Sequence, residues 1–182
     1  MIDQMIDRLL QREGGFVDNK FDKGGPTKHG ITQETLEKYR ALDPETPTTI
    51  HFLDKSFARR IYKTIYWEQT NICRIKNQFL AEMVLDQAVN CGPDIAIKRL
   101  QASINFISRD RNITEDGIIG PITVKAIDYS PPIALALAFF RRTQIYYIKL
   151  CIKDYNQMNF IVGWINRSHI LLELAVRANS VR

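Results

Sequence analysis

Residues 13–32 of this 182-residue chain read EGGFVDNKFDKGGPTKHGIT. The run places one carboxylate, Glu13, directly before two glycines, and a second, Asp22, nine residues further on. A Gly-Gly pair and Thr27 follow Asp22 closely. Two carboxylates and a hydroxyl on a glycine-rich loop suit a site that cleaves acetals such as glycosidic bonds. Solvated surface hairpins use the same residue types, so the motif needs support from the rest of the chain.

The segment before this run has apolar residues at helical spacing, namely Ile2, Met5, Ile6, Leu9 and Leu10. This periodicity predicts a short amphipathic helix over residues 2–12, which Gly14 and Gly15 end. Glu13 is therefore expected on or just beyond the last turn. Because a helix C-terminus carries partial negative charge, it should raise the pKa of this carboxyl, as a general acid requires. A small hairpin turning at residues 23–25 is predicted in the loop that follows.

The rest of the chain favours helices and shows little strand signal. Thr32 is a suitable N-cap for a helix over residues 33–40, with Leu36 and Tyr39 facing inward. Apolar periodicity and stop signals predict further helices at about 55–66, 78–90, 94–107, 122–128, 131–154 and 160–178. The predicted fold class is mainly α.

The composition is that of a folded globular protein, with 45% hydrophobic and 25% charged residues. A net charge of +5 implies attraction to polyanions such as nucleic acid, an anionic membrane face or the acidic polymers of a bacterial wall. Basic residues are spread along the chain without forming a striped helix, which disfavours nucleic-acid binding. The three cysteines, Cys73, Cys91 and Cys151, have neither disulfide-framework nor metal-ligand spacing. We expect buried reduced thiols, no structural metal and no cofactor.

The N-terminus and the longest apolar stretch of the sequence bear on localisation. The N-terminus carries Asp3 and Asp7 where a signal peptide needs basic residues and then an unbroken apolar run. The longest apolar stretch, residues 133–140, is too short to span a bilayer. We therefore expect synthesis in the cytoplasm without a classical export signal and no stable membrane insertion.

The quoted run resembles the signature of the glycoside hydrolase 108 muramidases, which are phage-type lysozymes and their bacterial relatives. That signature is close to E-G-G-[YF] and then D-x-G-G-x-T-x-x-G-I-T, which stand here at Glu13–Phe16 and Asp22–Thr32. Family members often carry a proline shortly before the aspartate, whereas this loop reads DNKF at residues 18–21. The resemblance implies a lysozyme-like helical fold with a small hairpin near the active-site loop.

The resemblance also implies roles for the residues of the run. Glu13 would be the general acid that protonates the leaving oxygen. Asp22 would position water or stabilise charge at the anomeric centre, although an Asp before Gly-Gly also caps turns. Thr27 would hydrogen-bond the attacking water or hold the loop. The spacing is similar to the Glu, Asp, Thr triad of T-even phage lysozymes, with one residue fewer in the second gap.

Aromatic residues further along are the predicted substrate-binding group. Tyr62, Tyr66 and Trp67 lie at the end of one predicted helix, and family members carry a similar Tyr-Trp pair, followed by D-x-x-x-N-x-G-P, here Asp86–Pro93. Aromatic rings stack on sugars, yet on helices they are also common in cores. Within that second run, Asn90 would either contact an acetamido group or cap its helix.

The C-terminal half carries two further resemblances. Trp164 and Arg167 match the family's C-terminal signature and are interpreted mainly as packing residues. Leu100-Gln101, with the D-G-x-x-G-P-x-T run at 116–123, is similar to small peptidoglycan-binding modules, although a tight Asp-Gly turn explains the same pattern. We therefore predict a muramidase catalytic region at 1–92 and a peptidoglycan-binding-like helical region at 93–182 packed on it.

The implied function is hydrolysis of peptidoglycan at the β-1,4 bond between N-acetylmuramic acid and N-acetylglucosamine, in the periplasm or cell wall. Access would depend on a holin-like membrane protein, as for phage endolysins. Bacterial family members release toxins by local wall cleavage, and the sequence fits both settings. Two rivals stay open. One is a lytic transglycosylase, which needs only the glutamate; the other is a non-catalytic wall-binding secretion accessory protein.

Overall fold

The structure is a computed structural model that describes residues 2–13, 16–17, 26–108 and 112–179. Helices dominate this part of the chain, as the sequence predicts. They are α1 (Ile2–Glu13), α2 (Gln33–Arg40), α3 (Lys55–Ile61), α4 (Gln78–Cys91), α5 (Pro93–Ile107), α6 (Pro121–Tyr129), α7 (Pro132–Lys153) and α8 (Ile161–Asn179). Three short strands, β1 (Phe16–Val17), β2 (Thr27–Lys28) and β3 (Ile31–Thr32), form one antiparallel sheet in the order β1-β2-β3.

The chain divides after Gln69 into two compact units. In the first unit, α1 packs against α3, and α2 packs against β3. Each helix buries one apolar face, as the 3.6-residue period requires. The buried residues include Met5, Ile6, Leu9, Leu10, Leu36, Tyr39, Ala58 and Ile61. An ion pair between Arg59 of α3 and Asp7 of α1 lies beside this core.

Helix α2 begins where its sequence predicts. The side chain of Thr32 caps it by accepting a hydrogen bond from the backbone N–H of Thr35. Two residues join β2 to β3, His29 and Gly30, with φ angles of 54° and 71°. Positive φ at both central positions is typical of the type I′ turn that matches strand twist. The hairpin turn predicted at residues 23–25 lies outside the described residues.

Helix α4 lies at the centre of the second unit. It is buried on nearly every side, because each of its residues from 80 to 88 is buried. Helix α4 packs against α5 and α8, and α7 packs against α5 and α8. Gly92, with φ of 89°, separates α4 from α5, and Pro93 occupies the first turn of α5. This stop and restart agrees with the predicted boundary between the two helices.

Two expectations from the sequence concern membranes and thiols. Among the described residues, each helix taken singly is too short or too polar to cross a membrane, and only α6 with α7, bent by 115°, pass together by length and composition. All three cysteines are free, but only Cys151 is fully buried. The expectation of buried thiols is wrong for Cys73, which is exposed in the short 3-10 turn Ile72–Arg74. A turn of three residues is too short to place all of its side chains against the core, and in this turn Ile72 is the buried residue.

Candidate active site

Glu13 is the last residue of α1. The helix is fixed from the inside by four buried apolar side chains, so the position of its C-terminal end is set by core packing. The side chain of Glu13 and the whole of Asp22 lie outside the described residues. Their predicted roles therefore stay predictions, while the position of the Glu13 backbone is a structural fact.

Thr27 lies on β2, the middle strand of the sheet. It pairs with Val17 of β1 on one side and with Thr32 of β3 on the other. Directly paired residues of antiparallel strands point to the same face of a sheet. Ile31, on the opposite face, is completely buried, whereas Thr27 and Thr32 are half-buried. The hydroxyl of Thr27 therefore belongs to the face that turns away from the Ile31 core.

Three hydroxyl groups continue from this face of the sheet. Thr32 Oγ1 lies 3.1 Å from Thr35 Oγ1, and Thr35 Oγ1 lies 3.4 Å from the hydroxyl of Tyr66. The row leads from the pair Thr27–Thr32 to the segment after α3. No sequence motif marks Thr35 as a candidate site residue. Only its position three residues after the N-cap Thr32 could have pointed to it.

The segment Tyr62–Glu68 continues α3 as a π-helix. The backbone N–H of Gln69 donates to the oxygen of Thr64, five residues back. Such π-helical segments are rare and are frequent at functional sites. This segment carries all three of the aromatic residues predicted from the sequence to bind substrate, and the rings of Tyr62 and Tyr66 lie 5.5 Å apart.

These aromatic residues differ sharply in exposure. Tyr62 is 0% exposed and Tyr66 6%, whereas Trp67 is half-buried. The hydroxyl of Tyr62 donates a hydrogen bond of 2.5 Å to the backbone oxygen of His29, which is itself buried. The structure thus places Tyr62 in the core, where its ring is not presented to a ligand, although the sequence predicted a sugar-stacking ring. Of the three, Trp67 offers the most accessible surface.

Asn90 lies in the second unit, near the end of α4. Its side-chain amide donates a hydrogen bond of 2.8 Å to the hydroxyl of Tyr147, which also lies 3.0 and 3.1 Å from the two amide atoms of Gln87. The Trp164 ring stacks on Tyr147 at 5.0 Å. The side-chain nitrogen of Asn90 is therefore hydrogen-bonded inside its own unit, and the residue is half-buried.

Two ionisable groups near Gln87, the Cys91 thiol and the Tyr147 hydroxyl, stay in their neutral forms. Burial raises the pKa of the Tyr147 hydroxyl to about 12 and that of the Cys91 thiol to about 11. Arg99 donates to Gln87 Oε1 at 3.2 Å and also to Cys91 Sγ, and its guanidinium stacks over Tyr146. Both acids stay protonated near neutral pH, so this cluster fits a structural role.

Asp86 and Arg167 form a buried ion pair across the second unit. Arg167 Nε donates to Asp86 Oδ2 at 2.8 Å, and the side chain of Asp86 is 0% exposed. The pair joins α4 to α8. Trp164, one turn before Arg167, also stacks at 5.7 Å with Phe160. These contacts agree with the interpretation of Trp164 and Arg167 as packing residues.

The Asp-Gly motif of the second unit is held by Gln101. Gln101 is completely buried, and its amide nitrogen donates to Asp116 Oδ1 at 2.7 Å and to the Ile118 oxygen at 3.1 Å. Its amide oxygen accepts from the backbone N–H of Gly117 at 2.9 Å. The hydrogen bond from Gln101 is the largest cause that lowers the pKa of Asp116. Gln101 and Asp116 thus fix the turn, which explains their spacing structurally.

Comparisons with known proteins agree with this arrangement. Residues 6–92 match the sequence model of Glycosyl hydrolase 108, and residues 95–169 match that of the "Predicted Peptidoglycan domain". Among solved structures, Brucella abortus SagA is similar, with 23% identity and a TM-score of 0.77 over 97% of this chain and 94% of that chain. This likeness in fold accords with the helical architecture expected from the sequence. A search of curated proteins found no match.

Proposed function

Since residues 6–92 of this chain belong to the glycosyl hydrolase 108 family and residues 95–169 match a predicted peptidoglycan domain, we propose that this glycoside hydrolase is a lysozyme-like enzyme that cleaves the β-1,4 bond between N-acetylmuramic acid and N-acetylglucosamine. Glu13 is the proposed general acid, and Asp22 and Thr27 are proposed to manage water or positive charge at the anomeric carbon. The family match at residues 6–92 contains all three.

The observation that carries the proposal is the register of the small sheet. Phe16 pairs with Lys28, and Val17 pairs with Thr27. Glu13 precedes Phe16 by three residues, a stretch of chain that spans at most about 11 Å when fully extended. The end of α1 is therefore tied to the strand that holds Thr27, as a site needs if a carboxylic acid and a water-binding hydroxyl act on one bond.

The roles follow from ordinary glycosidase chemistry. In its protonated form, the Glu13 carboxyl gives its proton to the glycosidic oxygen as the bond to the anomeric carbon breaks. The positive charge that develops on the sugar is stabilised by a carboxylate, for which Asp22 is the proposed group. Thr27 accepts or donates one hydrogen bond to the attacking water. As the water oxygen bonds to the anomeric carbon, the water gives its proton to the carboxylate proposed at Asp22; Asp22 then loses a proton to solvent and Glu13 regains one, so that one water is consumed for each bond cleaved.

Substrate contacts are proposed for Trp67, whose half-buried ring is available for stacking on a sugar. Tyr66 is proposed to act through its hydroxyl, at the end of the row formed with Thr32 and Thr35. Tyr62 supports the turn behind them. Asn90 is proposed to reach an acetamido group with the part of its amide that Tyr147 does not engage.

Peptidoglycan is the partner of both parts of the chain, as the two family matches indicate. We propose a catalytic region at 1–92 and a wall-binding region at 93–182, because the two matches lie on either side of Gly92-Pro93. By packing, α4 belongs with the second unit. The catalytic region therefore includes one helix, α4, whose core contacts lie with the wall-binding helices.

Two biological settings are proposed for the activity. In the first, a holin-like membrane protein lets the enzyme reach the wall during cell lysis. In the second, local wall cleavage releases a toxin or another protein. They are distinguished by deleting the gene in its host and measuring lysis and protein release separately.

The test is digestion of purified peptidoglycan by the wild type and by Glu13→Gln, followed by mass spectrometry of the products. Loss of the general acid lowers the rate by about 10²–10⁴-fold. Glu34→Gln is the matched control, because Glu34 is exposed and pairs with Lys38 on the surface of α2. Unchanged lysis by Glu13→Gln would remove Glu13 from the mechanism, whereas a lack of lysis by the wild type itself would favour a non-catalytic accessory protein.

Product masses separate hydrolysis from transglycosylation. Water attack gives reducing muramic acid ends, whereas a lytic transglycosylase gives only anhydro ends. Thr27→Val should lower the hydrolysis rate by about tenfold or more, since it removes the hydroxyl proposed to bind water, and Thr27→Ser should recover most of it. Exclusively anhydro products would reject the proposed reaction while leaving Glu13 as its acid.

A further inference from the structure

Helix α7 exposes a row of large aliphatic side chains along its length. The row consists of Ile133, Leu137, Ile145, Ile148 and Ile152, which are between 41% and 80% exposed. Their spacing of three or four residues, interrupted once at residue 141, places them along one side of the helix. A helix of 22 residues is about 33 Å long, so the row covers a long surface.

Cations are interleaved with this row. Arg141, Lys149 and Lys153 are all exposed, and α7 contains neither Asp nor Glu. Within the described part of the chain, none of these three cations belongs to an ion pair. We call the five aliphatic residues together with these three cations the basic-aliphatic stripe.

A neighbouring helix extends the stripe. Phe106 of α5 is 57% exposed, and its ring centroid lies 5.3 Å from the guanidinium carbon of Arg141. At the other end, Tyr155 lies two residues after the last residue of α7 and is 83% exposed. The inner side of α7 is occupied by Leu135, Phe139 and Tyr147, which pack in the core. The stripe is thus an outer surface of the second unit.

A surface of this kind needs an explanation, because folded proteins rarely expose a long contiguous apolar patch without a partner. A second copy of the chain would bring the cations of one stripe against those of the other, which is unfavourable. The stripe therefore suits a partner that is negatively charged and also apolar.

We propose that the basic-aliphatic stripe docks on the surface of an anionic lipid bilayer. Lipid phosphates would pair with Arg141, Lys149 and Lys153, and the aliphatic side chains would reach the boundary of the acyl chains. Tyr155 suits the same boundary, since tyrosine rings are enriched at membrane–water interfaces. The helix lies on the membrane and does not cross it, because its inner side stays in the core.

This inference goes beyond wall hydrolysis and is independent of it. Docking on the membrane would hold the enzyme close to the wall that it hydrolyses. Because the stripe lies on α7, whereas Glu13 lies on α1 and Thr27 on β2, changes in the stripe should leave hydrolysis of soluble wall fragments unchanged.

The test is co-sedimentation of the full chain with vesicles of equal parts phosphatidylglycerol and phosphatidylcholine, compared with pure phosphatidylcholine vesicles. The wild type should bind the anionic vesicles about tenfold more tightly or better, and added salt should weaken that binding. Ile148→Gln with Ile152→Gln removes the apolar contact and keeps the charge. Lys149→Gln with Lys153→Gln removes the charge and keeps the apolar contact.

Both double variants should lose at least about tenfold in affinity for the anionic vesicles. The matched control is Leu42→Gln with Phe52→Gln, which changes two exposed apolar residues of the first unit and should bind like wild type. Circular dichroism and the rate of soluble-fragment hydrolysis check that each variant folds.

Equal binding by the wild type and both stripe variants would overturn the proposal, as would a lack of preference for anionic vesicles. A dimer in sedimentation velocity that Ile148→Gln with Ile152→Gln abolishes would also overturn it, because the stripe would then be covered by a second copy. Loss of wall hydrolysis by Glu13→Gln leaves all of these outcomes unchanged, so the two proposals fail separately.

Discussion

The hydroxyl of Tyr62 donates a hydrogen bond of 2.5 Å to the backbone oxygen of His29, and both residues are buried. His29 and Gly30 form the turn between β2 and β3 with positive φ at both positions. The hydrogen bond therefore joins the π-helical segment to the turn that positions Thr27, two residues before His29. A core tyrosine is in this way connected to the proposed active site.

Replacing Tyr62 by phenylalanine should lower both stability and activity. The free energy of unfolding should fall by about 1–3 kcal/mol, because the buried oxygen of His29 loses this donor. The rate of wall hydrolysis should fall as well, with kcat affected more than KM, since the turn behind Thr27 loosens. Urea unfolding and peptidoglycan digestion measure the two effects.

The control for this variant is Tyr155→Phe, which removes a hydroxyl from a residue that is 83% exposed. It should change the unfolding free energy by less than about 0.5 kcal/mol. If Tyr62→Phe behaved in the same way as Tyr155→Phe, the hydrogen bond to His29 would contribute little to the fold.

Two glycines should respond oppositely to alanine. Gly117 has φ of 79°, and an added Cβ would lie 2.4 Å from Asp94 Oδ1, so Gly117→Ala should destabilise the protein by about 1–2 kcal/mol. Gly163 lies within α8 with nothing within 4 Å of an added Cβ, so Gly163→Ala should stabilise it by about 0.5–1 kcal/mol. Thermal unfolding of both variants gives the comparison, and a loss of stability in Gly163→Ala would be inconsistent with the open space there.

Removing one member of the buried ion pair should be costly. Arg167→Met removes the cation beside the Asp86 carboxylate, and the side chain of Asp86 is 0% exposed. Because the buried charge loses this partner, the free energy of unfolding should fall by about 3–5 kcal/mol. Adding Asp86→Asn to the same chain should recover part of the loss, because the buried charge is then removed. Arg74→Met, at an exposed position, should be nearly neutral. A single variant as stable as this control would show that the pair is dispensable.

The Cys91 thiol should react slowly and with an unusual pH profile. Burial raises its pKa from 9.0 to about 11, so the stabilisation from keeping this thiol protonated is fully present below pH 9 and is lost as the pH rises through 11. In a chain with Cys73→Ser and Cys151→Ser, iodoacetamide labelling of Cys91 should be slow at pH 8 and rise toward pH 11. The exposed Cys73, kept as the single cysteine in a matched variant, should label rapidly. Labelling of both thiols at the same rate would contradict the burial of Cys91.

Much of the helical framework can be predicted from local sequence. Thr32 caps α2 and Gly92-Pro93 separates α4 from α5 because these residues act through their own backbone or side chain over three or four positions. The same holds for the Asp116-Gly117 turn, whose positive φ only glycine adopts easily. These features depend on neighbours in the chain, so the chain alone specifies them.

Local sequence does not predict how exposed a side chain is, because exposure depends on which residues from distant parts of the chain pack against it. Helical spacing puts Tyr62, Tyr66 and Trp67 on one segment, but only the fold buries Tyr62 completely and leaves Trp67 partly open. Cys73 is exposed although the usual burial of free cysteines predicts a core position, and its neighbour Ile72 is the residue of that turn that is buried.

The sequence by itself determined the family, the helical class and the position of Glu13 at the end of the first helix, because signature spacing and apolar periodicity are local properties of the chain. Only the tertiary structure decided that Thr27 lies on the middle strand of a sheet and that Tyr62 holds the adjacent turn. It alone also decided that Arg141, Lys149 and Lys153 of α7 stay exposed while another side of the same helix is buried. Pairing and burial join residues that are distant in sequence, and those contacts exist only once the chain has folded.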